Sequence, residues 1–481
     1  MKKQNHVSEK RKRRRKKNER KAIILAVLVV ISVIALAVTL AAFVFKADFF
    51  VDKNREEQKN RQENDAQPEI EVTVEDATNQ SDHGGGLDDT DLGRTDGSNP
   101  DQPDRSTVQK DENVQVLQDV TMIFAGDICF YDAYANMTAL RARGGKIESC
   151  IDEKLLAEMK DADICMVNNE FAYSDRGTPL ADKAFTFCSK PSNVSLLHDM
   201  GVDLVSLANN HVYDYGPDAL LDTLDTLKNA DIPYVGAGRD LSEASAVYYF
   251  EKNGRRIAFV SATQVERNEH PDTKGATDTT PGTFRCYTKD EFERLAAVIR
   301  EADAQADLTV VYVHWGTENT DELHWAQIEQ APKIVEAGAD LIIGDHPHCL
   351  QNVEYLNGVP VIYSLGNFWF NSKTLDTCLF KVIYRTDGKL DCRLIPAKQH
   401  DCRTDMETGS EKQRILDYMQ CISPNVTFDQ DGNITNTPYT GPKIDYDAVE
   451  RVPDPPAAAT PLPAADPAGP VPDDITPVPV Q

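Results

Sequence analysis

The sequence lacks the features of several common protein classes. It contains no GxxxxGK[ST] phosphate-binding loop, so the chain is not expected to activate a substrate with ATP itself. Its ten cysteines include no CxxC pair, which argues against a thiolate-ligated structural zinc. Basic residues are scarce, since 51 Lys and Arg stand against 78 Asp and Glu. This acidity argues against nucleic acid as a partner, because duplex binding depends on cationic side chains.

The basic residues that are present are concentrated at the N-terminus. Residues 1–21 hold 12 of them against two Glu, which leaves 39 basic and 76 acidic residues in the remainder. Residues 22–45 then form a run of 24 uncharged, mostly apolar residues. At about 1.5 Å per residue, a helix of this length crosses a lipid bilayer core of roughly 30 Å. The positive-inside rule predicts a cytoplasmic N-terminus and an extracytoplasmic main domain, in the cell membrane.

A cleaved signal peptide is the alternative to this anchor. The apolar region of a signal peptide is usually only about 7 to 15 residues long, so an uncleaved single-pass anchor is preferred. Residues 46–113 are polar and charged, which predicts a flexible extracytoplasmic stalk. Residues 452–481 include ten prolines and predict a disordered tail.

The region between the stalk and the tail alternates short apolar runs with helix-like segments, as in an α/β domain. We assign residues 114–400 to this domain and 401–451 to a C-terminal extension. Pro332 is expected to break or kink the last predicted helix. The predicted helices are 152–160, 217–230, 290–303 and 325–337. The predicted strands are 120–125, 164–167, 204–207, 308–313, 340–343 and 359–363.

A polar cluster follows each predicted strand. Loops at the carboxyl ends of strands in α/β sheets converge on one crevice, so these six clusters are expected to build one site. Carboxylate, imidazole and amide groups suit Mn, Fe or Zn. Two such ions, about 3.5 to 4 Å apart, would support attack on phosphorus. The clusters are residues 126–127, 168–170, 209–211, 314–316, 345–348 and 364–367.

Six motifs in order give the chain a family resemblance. MIFAGDICF, NNEF, SLANNHVYDYG, HWGTE, GADLIIGDHPHCLQ and YSLGNFWF resemble the CapA family of capsule and poly-gamma-glutamate synthesis proteins, over about residues 121–370. That family resembles the calcineurin-like metallophosphatases. The resemblance implies a metallophosphatase-like multilayer sandwich, in which two β-sheets are flanked by helices.

The resemblance also implies a site with one or two divalent metal ions, Mn, Fe or Zn. Catalytic roles are implied for His211, His314 and Asp214. The implied metal ligands are Asp127, Asn168, Glu170, Asn210, His211, His314, His346 and His348.

Several of these residues have structural alternatives when they are considered alone. Asp127 could be a turn residue, and Asp214 could cap the helix that begins near Pro217. Asn209 and Asn210 could hydrogen-bond the backbone of a tight loop.

Four further positions outside the implied ligand set are open. Asp345 stands where many relatives have a histidine, so either the position is not an essential ligand or the carboxylate changes the metal preference. Ser364 lacks a nucleophile-elbow pattern and is expected in a structural turn. Lys183 and Lys190 are either surface residues or contacts for an anionic substrate.

The family implies an anchored component that makes, exports or attaches an anionic envelope polymer such as poly-gamma-glutamate or a capsule. Membrane-bound polymer-synthesis proteins are then its expected partners. The alternative is a metal-dependent phosphoesterase or other hydrolase that acts on envelope substrates. Fold alone does not decide between them, so whether the chain is an enzyme stays open at this point.

Overall fold

The computed structural model describes residues 117–181, 183–265 and 274–444. The predicted cytoplasmic segment 1–21, transmembrane helix 22–45, stalk 46–113 and proline-rich tail 452–481 all lie outside these ranges. Within the described part of the chain, no helix is both long enough and apolar enough to cross a bilayer.

Helices and strands alternate along most of the described chain. The helices are α1 (Ala135–Ala142), α2 (Glu153–Lys160), α3 (Ser195–Met200), α4 (Gly216–Asn229), α5 (Leu241–Ala244), α6 (Lys289–Asp303), α7 (Trp325–Glu336) and α8 (Gly409–Ile422). The strands are β1 (Val120–Ile128), β2 (Ile164–Asn169), β3 (Ala172–Tyr173), β4 (Cys188–Ser189), β5 (Leu204–Ser206), β6 (Tyr234–Val235), β7 (Ala237–Gly238), β8 (Tyr248–Lys252), β9 (Arg255–Thr263), β10 (Gly282–Thr283), β11 (Leu308–His314), β12 (Leu341–Asp345), β13 (Val353–Leu356), β14 (Val359–Ile362), β15 (Asn367–Trp369), β16 (Leu375–Tyr384), β17 (Leu390–His400), β18 (Arg403–Met406), β19 (Thr427–Phe428) and β20 (Asn433–Thr435).

Two large mixed sheets form the frame of the domain. The first has ten strands in the order β19-β20-β17-β16-β1-β2-β5-β6, with β15 paired to β1 and β18 paired to β17. The second has six strands in the order β13-β14-β12-β11-β9-β8. In the first sheet β1, β2, β5 and β6 run parallel, whereas the pairs from β19 through β16 to β1 are antiparallel. In the second sheet β9, β11, β12 and β14 run parallel, and the edge strands β8 and β13 are antiparallel to their neighbours. Strands β18 and β20 both pair with β17, so residues before and after position 400 belong to the same sheet.

Alternation of side chains along the strands separates the core into layers. Phe124 of β1 and Tyr312 of β11 belong to one buried cluster, so the two large sheets pack face to face. On the opposite face of β1, Ile123 packs in a cluster with α1 to α4. On the opposite face of β11, Val311 packs in a cluster with α6 and α7. The described domain is therefore an α/β structure of helix, sheet, sheet and helix layers.

Local sequence signals account for where several helices begin. Thr288 and Glu291 form a capping box at the start of α6, and Asp152 accepts a hydrogen bond from the first turn of α2. All four predicted helices and all six predicted strands are confirmed, with shifts of one or two residues at most ends and of three at the end of β1.

The expected break at Pro332 is wrong, because α7 continues through this residue to Glu336. The proline removes one backbone hydrogen bond. Buried Ala331 and Ile334 anchor the helix on both sides of the proline, and this packing holds the helical path. Cys165, in β2, is a free and fully buried thiol, as expected for a small core residue.

Candidate metal centre

Both large sheets contribute to one buried polar cluster at the carboxyl ends of their parallel strands. Asp127 and Asn168 lie near the ends of β1 and β2, and His314 and Asp345 end β11 and β12. All four side chains are fully buried. The six predicted clusters therefore meet, although they come from two facing sheets and not from one open sheet.

Asp127 is directed by an irregularity in β1. The register between β1 and β2 shifts between Ala125 and Asp127, and a bulge of this kind re-aims the side chain that follows it. Gly126 makes the local packing possible, because an added Cβ would lie 1.9 Å from the carbonyl oxygen of Gly366. The amide of Asp127 donates to that same oxygen at 3.0 Å. Asp127 thus lies within β1 and not in a turn.

His346 and His348 adopt left-handed backbone conformations, with φ of 100° and 57°. Such values are uncommon for residues other than glycine and store strain at functional sites. Pro347 separates the two imidazoles, whose ring centroids lie 5.9 Å apart. The strained turn therefore brings both imidazoles to the same cluster.

Two groups of side chains have the geometry to hold a metal ion. In each, the possible ligand atoms lie within 4.8 Å of one another. The first group is Asp127, Glu170 and His348, and the second is Glu170, His314 and His346. Glu170 belongs to both groups and so lies between two candidate positions.

Glu170 is buried without the hydrogen bonds that such a group requires. Neither carboxylate oxygen has a hydrogen-bond partner among the described residues. The nearest imidazole nitrogens are Nε2 of His314 at 3.5 Å and Nε2 of His211 at 3.9 Å. A buried carboxylate without a partner is costly. A cation between the two groups would satisfy both oxygens, so the residues present fit a metal ion.

Burial sets the protonation states of the cluster. Burial raises the pKa of Glu170 well above its usual range, and the nearby Asp127 raises it further, so a bound cation would displace the proton of this carboxyl group. Burial lowers the pKa of His314 to about 3 and the pKa of His346 well below its usual range, so both imidazoles are neutral, as metal binding requires.

Asp127 and His348 behave as an ion pair. Burial would raise the pKa of Asp127, but the hydrogen bond and charge of His348 outweigh it and the pKa is lowered. Burial would lower the pKa of His348, but the same contact, at 3.0 Å, raises it. This pair keeps Asp127 ionised, and a cation bound between the two side chains would displace the imidazole proton of His348.

Asparagine side chains hold the ligands in place. Asn168 donates to Asp127 at 2.8 Å, and its oxygen accepts from Asn209 at 3.0 Å. The oxygen of Asn210 lies 2.9 Å from Nε2 of His314. Asn209 also accepts hydrogen bonds from the backbone amides of its own loop. This contact is the structural role that the sequence left open for Asn209. Ligand roles for Asn168 and Asn210 stay predictions, and so does that of His211, which belongs to neither candidate ligand group.

His211 and Asp214 form a second functional unit beside the carboxylates. Nδ1 of His211 lies 2.7 Å from Asp214, and Nε2 faces Glu170. Lys183 donates to Asp214 at 2.6 Å, and the ring of Phe187 stacks on His211 with centroids 4.2 Å apart. Asp214 therefore orients His211 and does not cap α4, where no side-chain cap is present.

The structure also places the four positions outside the implied ligand set. Ser364 accepts from the amide of Gly366 and so lies in a structural turn. Lys190 is exposed, whereas Lys183 is partly buried against Asp214. Asp345 is buried near Asp127 but belongs to neither candidate ligand group.

Sequence reasoning missed two contributors to this site. Tyr312 contacts Asp345 from within an apolar strand, and Phe187 packs on His211. Tyr312 lies two residues before His314 and so on the same face of β11, which is the signal that could have revealed it.

Comparisons with known proteins agree with the motif pattern. A family model described as "Bacterial capsule synthesis protein PGA_cap" matches residues 121–372. PGA biosynthesis protein CapA of Bacillus subtilis (strain 168) is 33% identical over 241 residues, 49% of this chain and 61% of that protein. Capsule biosynthesis protein CapA of Bacillus anthracis is 33% identical over 240 residues, 49% of this chain and 57% of that protein.

The chain thus spans about three fifths of the length of these two relatives. A solved structure, TT1561 of Thermus thermophilus, shares 10% identity at a TM-score of 0.32, over 58% of this chain and 98% of that one. A likeness this weak supports no conclusion.

Proposed function

Because the chain belongs to the bacterial capsule synthesis protein family PGA_cap, we propose that it acts in making, exporting or attaching an anionic envelope polymer. We further propose that its buried cluster holds divalent metal ions. The observation that carries this second proposal is Glu170, a fully buried carboxylate shared by both candidate ligand groups. The layered arrangement of two facing sheets supports a metallophosphatase-like fold.

Oxygen and nitrogen ligands of this kind suit Mn, Fe or Zn. Asp127, Glu170 and His348 would hold one ion, and Glu170, His314 and His346 the other. Ions held there would supply Lewis-acid stabilisation of charge that develops during attack on an ester or amide bond. This makes a hydrolytic step in polymer synthesis the activity that the site supports best.

The chain's own residues provide the proton chemistry for such a step. Asp214 accepts the Nδ1 proton of His211, which leaves Nε2 facing the carboxylate cluster. Burial lowers the pKa of His211, and the charge of Lys183 lowers it further while Asp214 raises it. A neutral imidazole held in this way can accept a proton at Nε2 and, once protonated, return it. We assign His211 as the general acid or base and Asp214 as the residue that orients it.

Metal content is the direct test of the centre. The full-length protein, dialysed against Mn²⁺ and then against metal-free buffer, is expected to retain metal by elemental analysis. Asp127→Ala and His348→Ala should lose metal, and cells that depend on the protein should lose polymer with it. His198→Ala changes an exposed histidine that bonds Ala230 and is the matched control. Normal polymer in folded variants without metal would show a non-enzymatic role.

Catalysis is tested separately from metal binding. With a model phosphodiester and Mn²⁺, His211→Gln is expected to retain metal and lose about 10²- to 10⁴-fold in kcat. Asp214→Asn should lose activity in the same direction, because it no longer accepts the imidazole proton as a carboxylate does. A wild-type protein that holds metal but hydrolyses no phosphodiester and no polymer bond contradicts the hydrolytic proposal.

We also propose that residues 22–45 anchor the protein in the membrane, with the main domain outside. The hydrophobic run and the basic cluster before it support this topology. Protease added to intact spheroplasts should then digest the main domain and leave the N-terminal segment protected.

A further inference from the structure

Asp345 lies beneath the candidate metal centre and directs its contacts to protein groups. It is fully buried at the end of β12, where it pairs in register with His314 of β11. Its carboxylate meets the hydroxyl of Tyr312 and the amide of Leu365. Both oxygens are therefore already engaged.

Tyr312 connects Asp345 to the first sheet. The hydroxyl of Tyr312 donates to Oδ2 of Asp345 and also lies 3.3 Å from the carbonyl oxygen of Ala125. Tyr312 and Asp345 belong to the second sheet, whereas Ala125 belongs to the first. Ala125 precedes Asp127 by only two residues, so this bridge lies directly under a candidate ligand.

The other oxygen of Asp345 reaches the same ligand by a second route. It accepts from the amide of Leu365 at 3.3 Å. The next residue, Gly366, accepts from the amide of Asp127 at 3.0 Å. The close approach of Gly366 to Gly126 leaves little room for this loop to move. Asp345 thus supports the backbone of Asp127 from two sides.

Asp345 also fixes the start of the strained turn. The residue that follows it, His346, has a left-handed backbone, and so does His348. A strained conformation persists only where its surroundings determine it. The hydrogen bonds of Asp345 with Tyr312 and Leu365 fix the residue at which this turn begins.

Resting on the proposed metal centre, we propose that Asp345 is a positioning residue. Together with Tyr312 it holds Asp127 of the first sheet and the His346–His348 turn of the second in register for metal binding.

Calorimetric titration of the full-length protein with Mn²⁺ tests this role. Residues that orient metal ligands typically contribute 10- to 100-fold to affinity. We expect Tyr312→Phe and Asp345→Asn each to weaken Mn²⁺ binding about 10-fold or more. Asp345→Leu should weaken it further, because Asn keeps an acceptor oxygen and Leu does not. The number of ions bound at saturation should not change in any of them.

Tyr363→Phe is the matched control, because this buried tyrosine of the second sheet bonds Glu354 away from the ligands. Loss of one ion at saturation in Asp345→Asn, but not in Tyr312→Phe, would identify Asp345 as a ligand and overturn the proposal. Unchanged affinity in both folded variants would also overturn it, while leaving the metal centre intact. If the wild-type protein binds no Mn²⁺, the metal centre itself fails and this role fails with it.

Discussion

Two buried carboxylates, Glu170 in the candidate centre and Asp376 in β16, differ in how they are satisfied. Asp376 is 5% exposed and accepts hydrogen bonds from the two terminal guanidinium nitrogens of Arg414, at 2.6 and 2.9 Å. Glu170 is fully buried, and neither of its oxygens has a hydrogen-bond partner among the described residues. Burial of a charge is stable only when it is paired. Arg414 therefore satisfies both oxygens of Asp376, whereas the described residues supply no hydrogen-bond partner for either oxygen of Glu170.

Breaking the complete pair should have the largest effect on stability. Arg414→Met leaves Asp376 buried without its cation and is expected to lower the free energy of unfolding by about 3 to 5 kcal/mol. Urea denaturation measures this loss, and the metal content should not change. Adding Asp376→Leu to the same chain should recover most of the loss. A single variant that unfolds like the wild type would show that the pair contributes little.

Removal of bound metal should lower the stability of the protein through Glu170 and not through Asp376. Protein held at an Mn²⁺ concentration 100 times the dissociation constant is expected to lose about 2.7 kcal/mol of unfolding free energy when EDTA is added. Differential scanning calorimetry with and without EDTA detects the change. Asp376→Asn should show the same EDTA effect, while Glu170→Leu should show none. An equal EDTA effect in Glu170→Leu contradicts the assignment of Glu170 as a ligand.

Crowding the bulge in β1 should produce a smaller loss. Gly126→Ala places a Cβ 1.9 Å from the carbonyl oxygen of Gly366, so the loop must shift, at a cost of about 1 to 3 kcal/mol. Mn²⁺ affinity should fall at the same time, because Asp127 moves with the loop. Gly144→Ala is the comparison, since its Cβ would meet nothing within 4 Å and its φ is +96°. That variant should lose some stability and keep its affinity.

The smallest expected change is a gain in stability. In EDTA, Glu170→Leu is expected to raise the free energy of unfolding by about 1 kcal/mol, because it removes a buried polar group that has no partner. Urea denaturation of both proteins in EDTA makes the comparison. A clear loss of stability would show that Glu170 is satisfied without metal, and the contrast with Asp376 would disappear.

Sequence patterns predicted much of the fold because apolar runs and caps are local properties. The predicted segments 308–313 and 290–303, for example, correspond closely to β11 and α6. The His-Pro-His segment could be read as a site because two imidazoles follow a buried strand. These features need only the residues next to each other in the chain.

Other features could not be predicted, because they depend on distances between strands. The shared position of Glu170 follows from how the two sheets face each other, and no pattern near residue 170 shows it. The orientation of His211 by Asp214 depends on a turn that equally suited a helix cap. The path of α7 through Pro332 depends on packing against the second sheet.

The candidate ligands are divided between the sheets, since Asp127 and Glu170 come from the strands of the first and the three imidazoles from those of the second. An ion bound there would cross-link the two sheets, in addition to the apolar core that they share. Hydrogen exchange in β2 and in β12 should then slow together when metal is added.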